Sequence, residues 1–128
     1  MATVIRQIIS AVALVLLGLA PPLAQATTLQ TCTQKYPQPS ALRGCIESER
    51  NRAANQLREA NRATLAVVNQ QVNSDVRKSA LRSFRMTQAQ HVRARAAQCP
   101  GKAMALDRLG CEADSDFAQI AHLKQLVH

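Results

Sequence analysis

Two matched cysteine pairs, Cys32 with Cys45 and Cys99 with Cys111, constrain this chain more than any other feature. An even set of four in a small chain reads as a disulfide framework. Bonded cysteines need an oxidising compartment, and the N-terminus offers the route to one. Residues 1–26 read as a cleavable export signal. Arg6 is the one charge there, an apolar run follows over 8–20, Pro21 and Pro22 break it, and Ala24-Gln25-Ala26 fits small-x-small cleavage. The run is short of the ~20 residues of a spanning helix. Bulky Gln30 ahead of Cys32 argues against lipoprotein processing. The expectation is one mature domain over residues 27–128, periplasmic or secreted, with no transmembrane anchor after cleavage and monomeric.

Between the cysteine pairs the apolar residues recur at spacings of three and four, the period of amphipathic helices. A helix is predicted from about Ala41 to Val72, with Leu42, Ile46, Ala53, Leu57, Ala60, Thr64, Val67, Val68 and Val72 on its inner stripe and a possible break at Gly44. Before it, Tyr36-Pro37-Gln38-Pro39 reads as an irregular lead over residues 27–40, with Ser40 as N-cap. Asn73-Ser74-Asp75 makes a turn, with Ser74 or Asp75 as the next cap. A second helix follows from about Val76 to Gln98 and ends at Cys99-Pro100-Gly101. Residues 100–110 read as a loop or short helix, and a last helix runs from about Glu112 to Val127. No strand alternation or internal repeat is present. The predicted fold is all-α: a long antiparallel helical hairpin plus a short C-terminal helix, stapled by two disulfides. The hairpin brings all four cysteines to one end. Two pairings fit, local (32–45 and 99–111) or nested (45–99 and 32–111). The local one is preferred, because each pair flanks a short Pro- or Gly-containing segment with no other tie.

The residues expected of an enzyme are missing from the sequence. There is no GxSxG, no CxxC and no CxxCH. His91, His122 and His128 lack ligand spacing, and Glu47 and Glu49, two apart, diverge on a helix. Neither catalytic activity, nor a metal, nor a cofactor is expected. The formal charge is +8, and +7 without residues 1–26, where 15 basic residues face 8 acids. Arg77, Lys78, Arg82, Arg85, Arg93, Arg95 and Lys102 fall in a stretch without acids. Arg77, Lys78, Arg82, Arg85 and Arg93 are candidates for an anion-facing surface, or form a solvated helix face. Nucleic acid is not an expected partner, since no stacking aromatics accompany the cations.

Gln88, His91, Arg95 and Cys99 share one stripe of the second helix. This cluster is either a partner-binding site or a structural set, with Arg95 paired to an acid of the first helix such as Glu47 or Glu49. The structural reading is favoured, because buried polar groups usually satisfy one another.

The same spacing resembles that of the LprI-type lysozyme-inhibitor family of small exported bacterial proteins, whose pattern is Gln-x-x-Trp-x-x-x-Arg-x-x-x-Cys. Cys32 and Cys45 match the family's first two cysteines, Leu57 its leucine twelve residues later, and Cys111 and Leu123 its last cysteine and final leucine. His91 stands where the family has tryptophan. Arg58 and Asn61 stand for Asn and Tyr, and Asp116 and Ala118 for Thr and Arg. The resemblance implies an envelope protein that binds and blocks lysozyme. The charge suits an acidic lysozyme or an endogenous wall hydrolase better than a basic enzyme. The alternative is a basic envelope-binding or structural module on anionic cell-wall or outer-membrane groups.

Overall fold

The computed structural model describes residues 25–99, 101 and 105–127. The export signal expected over residues 1–26 lies outside the described residues except for Gln25 and Ala26. The described residues are all-helical: α1 (Thr28–Lys35), α2 (Pro39–Asn69), α3 (Ser74–Gln98) and α4 (Ala105–Leu126). None of these helices is long and apolar enough to cross a membrane.

α2 and α3 form the expected hairpin. Asn73 is the cap of α3, rather than Ser74 or Asp75: its Oδ1 accepts from the backbone N–H of Asp75 at 2.9 Å and of Val76 at 3.1 Å. α4 is longer than predicted. It starts at Ala105 and passes through Gly110 without stopping, so the second half of the 100–110 stretch, expected as a separate loop or short helix, is the first part of α4. It packs chiefly along α2. Arg50 reaches Glu112, Arg52 lies over Phe117, and Ala60 and Ala63 share a groove with Ile120 and Leu123. Those pairs rise together in number, so α2 and α4 run parallel, and α3 runs antiparallel to both.

Small residues set that packing. Ala53 of α2 and Ala113 of α4 are fully buried, flanked by Ile46, Ile120 and Leu123. Side chains this short let two helix axes approach at the low end of the usual ~8–10 Å. The core is thin as a result, with Phe84 its one buried aromatic. Of the predicted α2 stripe, Ile46, Ala53 and Thr64 are buried, whereas Val67 is 40% and Val72 98% exposed. Val72 falls in the turn, because the helix ends at Asn69.

The lead before α2 is a correction. Residues 28–35 are helical, opened by a capping box in which Thr27 Oγ1 accepts from Gln30 N at 3.2 Å and Gln30 Oε1 accepts from Thr27 N at 3.0 Å. The cap of α2 is Gln38, not Ser40, and Pro39 takes the first helical position. A proline is tolerated there because its missing N–H would have no intrahelical partner. α1 folds back onto α4. Asp114 Oδ1 accepts from Thr28 N at 2.9 Å and from Thr28 Oγ1 at 2.6 Å. Leu29 packs against Gly110, where an added Cβ would lie in ordinary contact, 3.5 Å from the Leu29 Cβ.

The disulfides take the local pairing, Cys32–Cys45 and Cys99–Cys111, with Cα–Cα distances of 5.8 and 5.7 Å. The first ties α1 to α2, and the second ties the end of α3 to α4.

No break occurs at Gly44, which is helical and exposed, with nothing within 4 Å of where a Cβ would sit. Alanine there gains helix propensity without a clash. Gly44→Ala should stabilise the protein by about 0.5–1 kcal/mol, read as a higher melting temperature.

Candidate functional site

The predicted stripe of α3 does converge on one place, together with residues that spacing alone did not single out. Arg95 Nη2 donates to Glu112 Oε2 at 3.2 Å, and its Nε lies 3.7 Å from Asp116 Oδ1. Arg50 Nε, from α2, donates to the same Glu112 oxygen at 3.0 Å. His91 Nε2 lies 3.0 Å from Asp116 Oδ1. With Asp116 as carboxylate, which can only accept, Nε2 is the donor. Three helices are thereby clasped through two acids of α4. Asp116 is the centre, with its side chain 2% exposed and the His91 ring 10% exposed.

Arg95 pairs with acids, but they are Glu112 and Asp116 of α4 and not Glu47 or Glu49. Those acids serve their own helix instead, with Glu47 on Arg43 and Glu49 on Arg52. Gln88 sits half-buried on the same stripe and takes no part in the clasp among the described residues. Arg50, Glu112 and Asp116 were missed as a set. One sign was legible: Asp116 interrupts the apolar stripe Ala113, Ile120, Leu123, and a buried acid needs a cation or donor.

Arg95→Ala removes both guanidinium contacts and leaves Asp116 with His91 alone. A loss of about 1–3 kcal/mol is expected, visible as a lower midpoint in urea, while the far-ultraviolet spectrum stays helical.

The candidate anion-facing residues behave differently. Lys78, Arg82, Arg85 and Arg93 are exposed, and Arg77 is half-buried because its Nη1 donates to the Gln71 carbonyl at 3.0 Å across the turn. Apart from that tie they are free to meet solvent or a partner.

A second feature lies at the disulfide end. A groove of about 580 Å³ runs between α1, α2 and α4, lined in part by Lys35, Glu49, Arg52, Asp114 and Phe117. The Arg52 guanidinium stacks 4.7 Å from the Phe117 ring centroid. Its hydrogen bond to Glu49 raises its pKa above the ordinary arginine value, against the opposing effect of burial, so it stays charged. Among the described residues no group of three or more His, Cys, Asp or Glu could hold a metal ion.

The chain matches no family model, no curated protein and no solved structure at a significant level.

Proposed function

We propose that this chain is an exported, non-enzymatic binding protein of the bacterial envelope that inhibits a lysozyme-type muramidase. The observation that carries the reading is where the departures from the family pattern fall. His91 stands for the family's tryptophan and Asp116 for a threonine of the last helix, and these two residues lie 3.0 Å apart. These two departures from the pattern thus fall at one buried hydrogen-bonded contact of this chain, while the cysteine frame and the Gln88-to-Cys99 spacing that carry the resemblance are kept.

With His91 and Cys99 largely buried and the Arg95 guanidinium engaged by two acids, the more open surface for a partner lies elsewhere. The disulfide-end groove, with Arg52 fixed over Phe117 and Lys35 at its edge, offers cationic donors on a scaffold held by Cys32–Cys45. A stapled surface loses little entropy on binding. Muramidases depend on a pair of carboxylates in the cleft, and donors of this kind can engage them. The excess positive charge selects an acidic enzyme, since a basic one is repelled at long range.

The test is turbidity loss of cell-wall suspensions under a panel of acidic and basic lysozymes. Near-equimolar protein should stop lysis by at least one acidic member. Undiminished lysis by every member refutes the inhibitor reading.

The basic-module reading has its own support in the uneven charge. Beyond Glu59 on α2, through Arg85 on α3, and beyond Asp116 on α4, six cations face the single acid Asp75. On that reading the protein sediments with isolated envelopes and comes off as salt rises, because exposed charges are screened beyond ~8–10 Å.

A further inference from the structure

The turn between α2 and α3 sets an exposed valine, Val72, among the polar residues Gln70, Gln71 and Asn73, and a second, Val76, follows in the first turn of α3. Val72 is 98% exposed and Val76 51%, and Leu65 (38%), Val67 (40%) and Leu126 (53%) lie behind them. Turns at a hairpin tip are ordinarily built of polar residues, and isolated exposed apolar residues need no explanation. Here five gather at one end of the molecule. α4 reaches the same end, because Leu126 and Val127 share a groove of about 200 Å³ with Val67, Val68 and Phe84.

Cations outnumber acids around this apex, although Glu59 lines one groove together with Lys124. Arg77 and Lys78 occupy the first turns of α3, Lys124 the last turn of α4, and Arg62 and Arg82 stand farther back. Asp75 is the one acid near the turn. The remaining seven acids lie toward the disulfide end or at mid-height, from Glu47 to Glu59 and from Asp107 to Asp116. Exposed apolar residues at a hairpin tip, flanked mainly by cations, match the layered chemistry of an anionic bilayer surface, where phosphates overlie the acyl region. A protein pocket would need a concave complement to Val72. A bilayer deforms to meet it.

We infer that the α2–α3 tip docks on anionic phospholipid bilayers, with Val72 and Val76 entering the interface and Arg77, Lys78 and Lys124 engaging lipid phosphates. This sharpens the basic-module reading and rests on it in part. It is compatible with muramidase inhibition, because docking by the tip leaves the disulfide-end groove facing away from the lipid. Two valines bury little area, so the charge is required and neutral bilayers should not be bound.

The chain contains no tryptophan, which makes a single introduced one a clean reporter. Val72→Trp and, toward the disulfide end, Val92→Trp both place it at an exposed site, since Val92 is 65% exposed. Each is mixed with phosphatidylglycerol-containing vesicles and with pure phosphatidylcholine vesicles. The Val72→Trp emission should shift to the blue on the anionic vesicles alone, and that of Val92→Trp should not move. In the Val72→Trp background, Lys78→Gln with Lys124→Gln should weaken binding by roughly tenfold or more, at about 1 kcal/mol per cation near an anionic surface. Arg93→Gln with Arg108→Gln removes the same charge at the other end and should change it less than about twofold. The inference is overturned by an unmoved Val72→Trp emission, by a shift at Val92→Trp instead, by equal binding to neutral vesicles, or by equal effects of the two charge pairs. Salt-sensitive binding to isolated envelopes without binding to vesicles would retain the basic-module reading and discard this inference.

Discussion

Cys99→Ser with Cys111→Ser should lower the melting temperature by roughly 10–25 °C. A disulfide closing a loop of this size contributes ~2–4 kcal/mol, and each kcal/mol moves the midpoint of a domain this small by about 4–8 °C. The bond is placed where its loss is felt. It fixes the end of α3 to α4, the helix that packs along α2, with Cys99 itself buried. Cys32–Cys45 secures the eight-residue α1, which Asp114 also holds through Thr28. Cys32→Ser with Cys45→Ser should therefore cost less. Reduction of both bonds removes an amount comparable with the whole stability of a small domain, ~5–15 kcal/mol. Differential scanning calorimetry of the two double variants and of the reduced protein would check the order.

Asp116→Ala should be the most damaging single substitution outside the cysteines, at about 3–5 kcal/mol. Its carboxylate is the buried partner of both His91 and Arg95. Without it the His91 ring, 10% exposed, has lost its acceptor, and Arg95 keeps only Glu112. Asp116→Asn retains an acceptor oxygen for His91 and loses the charge, so its cost should be clearly smaller. Chemical denaturation of the two variants against the parent separates the hydrogen bond from the ion pair.

The main helices were legible because their apolar residues keep a period near 3.6 over long stretches; the disulfide pairing was narrowed only to local or nested, because a hairpin that gathers all four cysteines at one end suits both. α1 was not, because eight residues with only Thr28 and Cys32 buried carry no stripe. Its one sign was Thr27-x-x-Gln30, a capping-box spacing, beside two prolines that bar a continuous helix into α2. The early start of α4 was masked by Gly110, which reads as a stop and serves instead as the place where α1 approaches. In the clasp, the stripe of Arg95 showed that it faces inward but not which helix it faces. The choice between α2 and α4 depends on how three helices pack, and that is settled by small residues such as Ala53 and Ala113, which carry no charge signal.

The view that Gln88, His91, Arg95 and Cys99 mark a scaffold rather than a binding face turns on the coupling between Arg95 and Asp116. A double-mutant cycle in urea, with Arg95→Ala, Asp116→Asn and the two combined, measures it directly. A coupling energy of about 1–3 kcal/mol is expected for residues in one ion-pair network. Additive costs, with Arg95→Ala as stable as the parent, would contradict the account and return Arg95 to the surface as a candidate contact for the partner.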